Sequence, residues 1–349
     1  MPKDRYITYE QALAEGTRQE MEKDRRVFVY GLDVTDHKKI FGSTRGLEKF
    51  NEDRFFATPL SEEAMTGVGL GAAMNGLRPV HIHIRVDFLL LAMNQLVNMV
   101  ATTQYGSAGK LKVPFVIRAV IGRGWGQGFQ HSKSLQSFFA HIPGLKVVMP
   151  STPYDAKGLL AASIRDNNPV IFLEHRWLYW LEGKVPSQPY TVPLGKARVL
   201  RKGKDLTIVA TSWMTVEAHK AAEIMARKHN IEVEVIDPRT IYPLDEEAIT
   251  NSVKKTGHCI VADYDWKFCG FSAEVAALVS EKCFGKLKSP VERIAFPHTH
   301  CATTRPLENV FYPNAITIIR SIEKKLELKK TDLSQEEFYS WENRFKGPF

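Results

Sequence analysis

The sequence has 349 residues, of which 44% are hydrophobic and 25% are charged. At roughly 150 residues per domain, this length predicts about two domains, and the composition excludes a disordered chain and a disulfide framework. The net charge of +8 comes from 47 basic and 39 acidic residues, which are interspersed, so we expect no nucleic-acid partner. The polar start MPKDRYITYEQ and the lack of an apolar run of about 18 residues predict a cytoplasmic protein without a membrane span.

Helical periodicity alternates with short β-branched runs along the first part of the chain. Predicted helices cover residues 8–23, 61–76, 87–105 and 152–166, and predicted strands cover residues 27–31, 79–85, 113–121, 146–150 and 169–175. Apolar strands between helices are typical of a parallel sheet that is buried on both faces. We therefore predict an α/β domain over residues 1–180.

A second alternation begins after a proline-containing stretch, residues 181–204, which we interpret as a linker. Predicted strands cover residues 205–211, 233–238, 258–264 and 291–296, and predicted helices cover residues 214–229, 270–284, a segment from 245 and one that ends near 328. This pattern predicts a second, smaller doubly wound α/β domain over residues 205–328. Residues 329–349 then form a charged and aromatic C-terminal extension.

Three features are candidates for chemistry. The segment GVGLGAAMNG from Gly67 lies inside a predicted helix, so we interpret its small residues as a close contact with a neighbouring element rather than a phosphate cradle. Glu62 follows a predicted N-cap, Ser61, where a carboxylate either contacts a ligand or only favours the positive end of the helix. His131 follows a glycine-rich loop and is either an acid–base group or a structural histidine.

Several longer strings occur in a familiar order. They are TPLSEEAMTGVGLGAAMNGLRP from Thr58, DF at Asp87, QHS from Gln130, PGLKVVMPSTPYDAKGLL from Pro143, IRDNNPV from Ile164 and VIDPRTIYPLD from Val235. With these strings the chain resembles the beta subunits of the thiamine-diphosphate-dependent 2-oxo acid dehydrogenases, of the pyruvate dehydrogenase type, within the transketolase-like group. The resemblance implies a pyrimidine-binding domain over residues 1–180 and a transketolase-type C-terminal domain over residues 205–328.

The same resemblance implies a cofactor and partners. The chain would be a beta subunit that activates thiamine diphosphate for attack on the carbonyl of a 2-oxo acid, at an interface with an alpha subunit in an α2β2-like assembly. The alpha subunit would hold the diphosphate and Mg2+, since this sequence lacks the family's Gly-Asp-Gly diphosphate motif. A lipoyl acyltransferase is a further candidate partner, and the extension over residues 329–349, which departs from the family's pattern, leaves that docking open.

Residue roles follow from the resemblance alone. Glu62 would be the catalytic glutamate that hydrogen-bonds the aminopyrimidine ring, with Phe88 packed on that ring and Ile84 supporting the bent cofactor. His131 would be the active-site histidine that faces the substrate. A structural potassium ion would be held by the segment that contains Ile164, Asp166 and Asn168.

Two other functions remain open at this point. The chain could be the C-terminal half of a split transketolase that transfers a two-carbon ketol unit, which would be favoured if His81, His83, Arg85, Arg123 and His131 converged on one pocket. It could also be a non-catalytic scaffold partner of an alpha subunit. The joint presence of Glu62, Phe88 and His131 argues against the scaffold.

Overall fold

The computed structural model describes residues 5–122 and 126–339. The strands are β1 (Tyr6–Thr8), β2 (Val27–Gly31), β3 (Phe55–Ala57), β4 (Arg78–His83), β5 (Val116–Ile121), β6 (Lys146–Val148), β7 (Val170–His175), β8 (Glu182–Lys184), β9 (Arg198–Arg201), β10 (Leu206–Ala210), β11 (Val233–Asp237), β12 (Thr240–Tyr242), β13 (Cys259–Trp266) and β14 (Glu292–Phe296). The α-helices are α1 (Tyr9–Lys23), α2 (Glu62–Met74), α3 (Val86–Leu89), α4 (Thr103–Gly106), α5 (Gln136–Ala140), α6 (Pro153–Arg165), α7 (Trp213–His229), α8 (Glu246–Thr256), α9 (Phe271–Cys283), α10 (Arg305–Phe311) and α11 (Ala315–Lys325).

These elements form two compact units. Among the described residues, the first unit contains residues 5–122, 133–196 and 239–244, and the second contains residues 126–132, 197–238 and 245–339. The chain passes from one unit to the other at residue 196, inside the stretch predicted as a linker. That stretch carries two short strands, because β8 pairs with β1 and β9 pairs with β11.

The first unit is built on a seven-stranded sheet with the order β12-β6-β7-β5-β4-β2-β3. All of its neighbouring strands are parallel except β12, which runs antiparallel to β6. The chain moves from β2 to β3 on one side and then returns to β4 on the other side, so the strand order reverses at β2. Ligands of open α/β sheets bind outside the carboxyl ends of the strands at such a reversal.

Helices α1 and α6 pack against each other in this unit through small residues and ion pairs. Gly16 of α1 lets the backbone of α6 come close, since a Cβ there would lie 3.3 Å from the carbonyl oxygen of Lys157. The buried Lys157 ammonium is 2.6 Å from a Glu15 carboxylate oxygen, and Arg165 lies 2.6 Å from one of Glu20. Each carboxylate in this contact therefore has a cation beside it.

The second unit contains a five-stranded sheet with the order β14-β13-β10-β11-β9. Its strands are parallel except β9, and the order reverses at β10, which has β11 on one side and β13 on the other. The described part of the carboxyl extension packs along α7 of the same unit. Thr331 bonds His229 at 2.9 Å, Glu336 accepts from Arg227 at 2.8 Å, and the Tyr339 ring meets Trp213 edge-on at 5.3 Å.

The single helix predicted over residues 87–105 is wrong. The structure divides that stretch into α3, a 3-10 turn (Leu90–Ala92), a π-helical segment (Gln95–Val100) and α4. The Thr102 and Thr103 hydroxyls donate to main-chain carbonyls four residues earlier, at 2.7 and 2.6 Å, and such back-bonding bends helices. No single helix in the described residues is long and apolar enough to span a membrane. Residues 86–92 and 95–106, which are bent by 66° relative to each other, reach the required length and composition only when taken together.

Candidate active site

The loops at the carboxyl edge of the first sheet bring three predicted site residues to one region. Glu62 begins α2, five residues after the last residue of β3, while Ile84 and Phe88 follow the end of β4. Strands β3 and β4 flank β2 on its two sides. In addition, α2 packs against β4 and against the 3-10 and π-helical segments that follow Phe88. The three residues therefore surround the point where the strand order reverses.

The first turn of α2 treats its two glutamates differently. Ser61 occupies the N-cap position, as predicted, but its side chain makes no capping hydrogen bond. The exposed Glu63 carboxylate accepts a 3.0 Å hydrogen bond from Asn94. The half-buried Glu62 carboxylate makes no hydrogen bond or ion pair within residues 5–122 and 126–339. Of the two groups, Glu62 alone is left with both oxygens available to a ligand.

The glycine-rich segment of α2 holds this helix close to the sheet. A Cβ at Gly69 would lie 2.1 Å from the Tyr30 hydroxyl oxygen and 2.4 Å from the Phe115 ring, so no larger residue fits. The Tyr30 hydroxyl donates a 2.9 Å hydrogen bond to the Met65 carbonyl oxygen. The predicted close contact is thus confirmed, and it fixes the distance between the sheet and the start of α2.

His81 and His83 form a buried pair beneath this helix. Their ring nitrogens lie 3.2 Å apart, and the Tyr30 ring stacks on His81 with centroids 4.4 Å apart. Burial lowers the pKa of His83 to about 4, and burial together with His83 lowers the pKa of His81. Both side chains are buried, so neither is exposed on the surface of this unit.

The segment after β4 combines an exposed ring with a buried cation. Phe88 leaves 39% of its surface exposed, and Ile84 is half-buried. Arg85 is buried and donates a 2.9 Å hydrogen bond to the Gly122 carbonyl oxygen. The remaining residue of the expected basic set, Arg123, lies outside the described residues. A partly exposed aromatic ring of this kind can stack on a flat ligand.

His131 belongs to the second unit, whereas Glu62, Ile84 and Phe88 belong to the first. It is half-buried and follows a 3-10 turn, Gly128–Gln130. Two contacts hold its loop within that unit: the Tyr312 hydroxyl donates to the Ser132 carbonyl oxygen at 3.2 Å, and Gly128 packs closely on Thr303.

The residues expected to hold a potassium ion are engaged by two cationic side chains. Arg78 donates to the carbonyl oxygens of Ile164 and Asp166, at 2.9 and 3.0 Å. The Asp166 carboxylate lies 2.5 Å from the Lys146 ammonium and also accepts from the Asn168 backbone and side chain. A guanidinium group and an ammonium group thus provide the positive charge here, so the segment does not fit an additional monovalent cation.

Two features of the region were not predicted from the sequence. One is an apolar surface beside Glu62: the exposed Leu60 and Val68 lie next to and on α2, and the exposed Leu91 and Met99 lie on the 3-10 and π-helical segments that pack against α2. A signal for it was present, because residues 88–109 contain no charged side chain. The other is an ion pair between Asp87 and Lys133, with 2.9 Å between the charged atoms. No group of three or more His, Cys, Asp or Glu side chains in the described ranges is arranged to hold a metal ion.

Comparison with known proteins identifies the family. The models of the transketolase pyrimidine-binding domain and the transketolase C-terminal domain match residues 5–180 and 195–318. The 2-oxoisovalerate dehydrogenase subunit beta of Bacillus subtilis is 43% identical over 311 residues, which cover 88% of this chain and 95% of that protein. The pyruvate dehydrogenase E1 component subunit beta of the same organism is 41% identical over 323 residues, covering 92% and 99%. The chain belongs to the 2-oxo acid dehydrogenase beta-subunit family.

Other similarities are consistent with this family. The acetoin:2,6-dichlorophenolindophenol oxidoreductase subunit beta of Cupriavidus necator is 40% identical over 333 residues, covering 93% of this chain and 98% of that protein. The beta-subunit family serves thiamine-diphosphate-dependent dehydrogenases, so the predicted family and enzyme class are confirmed. A solved split-gene transketolase, described as an inactive beta4 tetramer, has a TM-score of 0.75 over 93% of this chain and 99% of that chain. Its 21% identity shows the fold alone and confirms the predicted two-domain α/β architecture.

The donor set beside β2 fits the pyrimidine half of the family's cofactor. An aminopyrimidine needs a carboxyl group at a ring nitrogen and apolar contacts on its faces, and a half-buried free carboxylate and an exposed aromatic ring lie on either side of the strand reversal. The diphosphate half needs a divalent cation and its oxygen ligands. In the described part of the chain, the first unit offers no such cluster at this edge.

Proposed function

We propose that this chain is the beta subunit of a thiamine-diphosphate-dependent 2-oxo acid dehydrogenase that is active only together with an alpha subunit. The observation that carries the proposal is the Glu62 carboxylate. It lies half-buried at the carboxyl edge of the first sheet with no protein partner among the described residues, while Glu63 is engaged by Asn94. A carboxylate left free in such a position is suited to a ligand.

Glu62 would hold a proton between its carboxyl group and a ring nitrogen of the cofactor's aminopyrimidine. Phe88 would pack on the face of that ring and Ile84 would support the bent cofactor from below, which fixes the ring's position and excludes water from one side. His131 would contact the carbonyl or carboxylate of the substrate. Bound thiamine diphosphate supplies the nucleophile for the 2-oxo acid carbonyl and the electron sink for decarboxylation.

The alpha subunit would cover the apolar surface beside Glu62. Leu60, Val68 and Leu91 are more than half exposed on it, and patches of this kind on a folded chain mark protein interfaces. In this arrangement, an α2β2-like assembly, the alpha subunit supplies the diphosphate site and Mg2+. A potassium ion at residues 164–168 is no part of the proposal, because Arg78 and Lys146 provide the charge there.

The substrate would be a small 2-oxo acid, and the assembly would act in the cytoplasm. Two relatives are named for pyruvate and 2-oxoisovalerate, so both 2-oxo acids are to be assayed with the reconstituted pair. A lipoyl acyltransferase is the natural acyl acceptor in this class, and the extension over residues 329–349 is the part of the chain whose effect on that docking is to be measured.

The test is reconstitution with the product of the neighbouring gene. Calorimetric titration of thiamine diphosphate with Mg2+ should show tight, magnesium-dependent binding by the pair and none by this chain alone. The pair should then decarboxylate 2-oxo acids, with 2,6-dichlorophenolindophenol or an isolated lipoyl domain as acceptor. Cofactor binding by neither sample would favour the scaffold function, and turnover of ketose phosphates alone would favour the split transketolase.

A further inference from the structure

One tyrosine hydroxyl anchors the helix that begins at Glu62 to the first sheet. Tyr30 lies in β2, the strand at which the strand order reverses, and its side chain is fully buried. Its hydroxyl donates a 2.9 Å hydrogen bond to the Met65 carbonyl oxygen of α2. Met65 lies about one helical turn after Glu62. The contact therefore holds the turn of α2 to which the Glu62 carboxylate belongs.

The beginning of α2 is shaped around this hydroxyl. A Cβ at Gly69 would lie 2.1 Å from the hydroxyl oxygen, so the helix needs a glycine about one turn beyond Met65. In the opposite direction, the Thr66 hydroxyl donates to the Glu62 carbonyl oxygen at 2.8 Å. Glu62 and Met65 are thus parts of one hydrogen-bonded turn, and a shift of Met65 relative to the sheet moves Glu62 with it.

The ring that carries the hydroxyl is itself held by the two neighbouring strands. Tyr30 is paired in register with His81 of β4 and with Phe56 of β3. Its ring stacks on His81 with centroids 4.4 Å apart, and its centroid lies 5.8 Å from that of Phe56. His81 is held in turn by its 3.2 Å contact with His83. Because cross-strand neighbours on both sides contact the ring, the hydroxyl has a defined position beneath α2.

Neither the sheet nor the helix needs this hydrogen bond for its own integrity. Within α2 the Met65 carbonyl oxygen is also the acceptor for the N–H four residues later, so it keeps a partner without Tyr30. A phenylalanine at residue 30 would keep the ring contacts and would bury no hydroxyl. A single neutral hydrogen bond adds little net stability, but it has a preferred direction, which an apolar contact lacks. The tyrosine therefore indicates a need for a defined placement of α2.

We propose that Tyr30 is a positioning residue that acts through the Met65 carbonyl group to set the place of the Glu62 carboxylate above the sheet. The proposal rests on the proposed function, because it takes Glu62 to be the group that hydrogen-bonds the aminopyrimidine. Tyr30 is buried beneath α2 and touches neither the cofactor nor the substrate. Its effect is on how often Glu62 stands at hydrogen-bond distance from the ring nitrogen, so it governs turnover more than cofactor affinity.

The activity test uses the reconstituted pair with Tyr30→Phe, Glu62→Gln and the double variant. Tyr30→Phe should lower kcat for the 2-oxo acid about tenfold, with the Kd of thiamine diphosphate unchanged within about twofold. In the Glu62→Gln background, Tyr30→Phe should have almost no further effect on kcat, because it acts only through the Glu62 carboxylate. A merely structural role would instead give losses that add in the double variant.

A matched control and a second measurement separate this role from simple destabilisation. Tyr179→Phe removes another fully buried tyrosine hydroxyl of the same unit, which donates to the Glu174 carboxylate at 2.6 Å. Because that acceptor is charged, Tyr179→Phe should lower the thermal midpoint at least as far as Tyr30→Phe does, yet leave kcat unchanged. In this chain alone, Tyr30→Phe should raise amide hydrogen exchange in residues 65–69 about tenfold, while α6 keeps its protection.

The outcomes distinguish the two proposals. If the unsubstituted pair neither binds thiamine diphosphate nor turns over a 2-oxo acid, the proposed function fails, and the positioning role fails with it. If the unsubstituted pair is active but Tyr30→Phe keeps its kcat, or loses it additively with Glu62→Gln, only the positioning role is wrong. An equal loss of kcat in Tyr179→Phe, or unchanged exchange in residues 65–69, would also overturn it and leave the proposed function standing.

Discussion

Both sheets reverse their strand order, but the carboxylates beside the two reversals are in different environments. The first sheet reverses its order at β2, and beside that point lie an exposed aromatic ring at Phe88 and the free carboxylate of Glu62. The second sheet reverses at β10, where the Thr211 hydroxyl donates to the Asp263 carboxylate and both side chains are buried. The carboxylate at the first edge has no partner among the described residues, and the carboxylate at the second edge is buried and accepts a hydrogen bond within its own unit.

This difference shows that the fold provides a place for a ligand and the individual residues decide whether that place is used. Two fully buried carboxylates elsewhere in the first unit have partners within the chain. Glu174 accepts two hydrogen bonds from Arg118 and one from Tyr179, and Glu20 is paired with Arg165. Against these structural carboxylates, Glu62 is distinguished by having no such partner in the described part of the chain.

The largest expected effect comes from Glu62→Gln in the reconstituted pair. An amide cannot hold the proton that the pyrimidine nitrogen shares, so kcat should fall by about 10²- to 10⁴-fold, the usual contribution of general acid–base groups. Glu63→Gln is the matched control, since it changes the neighbouring carboxylate, which Asn94 already engages, and should retain nearly full activity. Equal losses in the two variants would remove the distinction between these glutamates. Steady-state kinetics and circular dichroism measure both.

The second prediction concerns the buried histidine pair beneath α2. Since burial lowers the pKa of His83 from 6.5 to about 4, the unfolded chain binds a proton between these values that the folded chain does not. Stability is therefore full above pH 6.5 and should fall by about 3 kcal/mol as the pH drops towards 4. Urea unfolding of His83→Phe across this range should show a shallower slope than the parent chain. The exposed His37→Phe should keep the parent slope, and an unchanged slope in His83→Phe would contradict the prediction.

The third prediction concerns the segment where a potassium ion was expected. Arg78→Met removes hydrogen bonds to the carbonyl oxygens of Ile164 and Asp166 and should cost about 2 to 3 kcal/mol of unfolding free energy. If Arg78 replaces a cation, potassium chloride should stabilise Arg78→Met more than sodium chloride does, and should leave the parent chain unaffected. Thermal midpoints in the two salts measure this. Specific stabilisation of the parent chain by potassium would show that the segment binds the ion in spite of Arg78.

Local patterns in the sequence were sufficient for most of the fold. The strand VFVYG and the helix that ends at Lys23 were predicted to within a residue, because their apolar residues follow the sheet or helix period without interruption. The three-residue strands β3 and β12 were missed. They are too short to show a period, and β12 pairs with β6, which lies about ninety residues earlier. Pairing between distant segments leaves no local signal.

The site was partly predictable for a related reason. The position of Glu62 after the predicted N-cap, Ser61, indicated a ligand contact as one of two possibilities, whereas the role of Phe88 came from the family resemblance alone. Asn94 donates to Glu63 and not to Glu62, and Lys146 pairs with Asp166. Both of these partner residues lie on other elements of the fold. Spacing along the chain contains no information about such contacts. The two-residue period of a strand puts His81 and His83 on one face but does not show that this face is buried.

The smallest expected effect tests whether the second edge is closed. Thr211→Val removes the hydroxyl that donates to Asp263, a hydrogen bond to a charged group, and should cost about 1.5 kcal/mol of unfolding free energy. Thr215→Val, which removes a hydroxyl bonded to the Ala210 carbonyl oxygen at 2.8 Å, should cost less because its acceptor is neutral. Neither variant should change the cofactor Kd or kcat of the pair, since the Asp263 carboxylate is buried and already accepts a hydrogen bond within its unit. A change in either constant with Thr211→Val alone would mean that Asp263 takes part in binding. Both edges would then bind a ligand, and the comparison between them would concern which ligand each one binds.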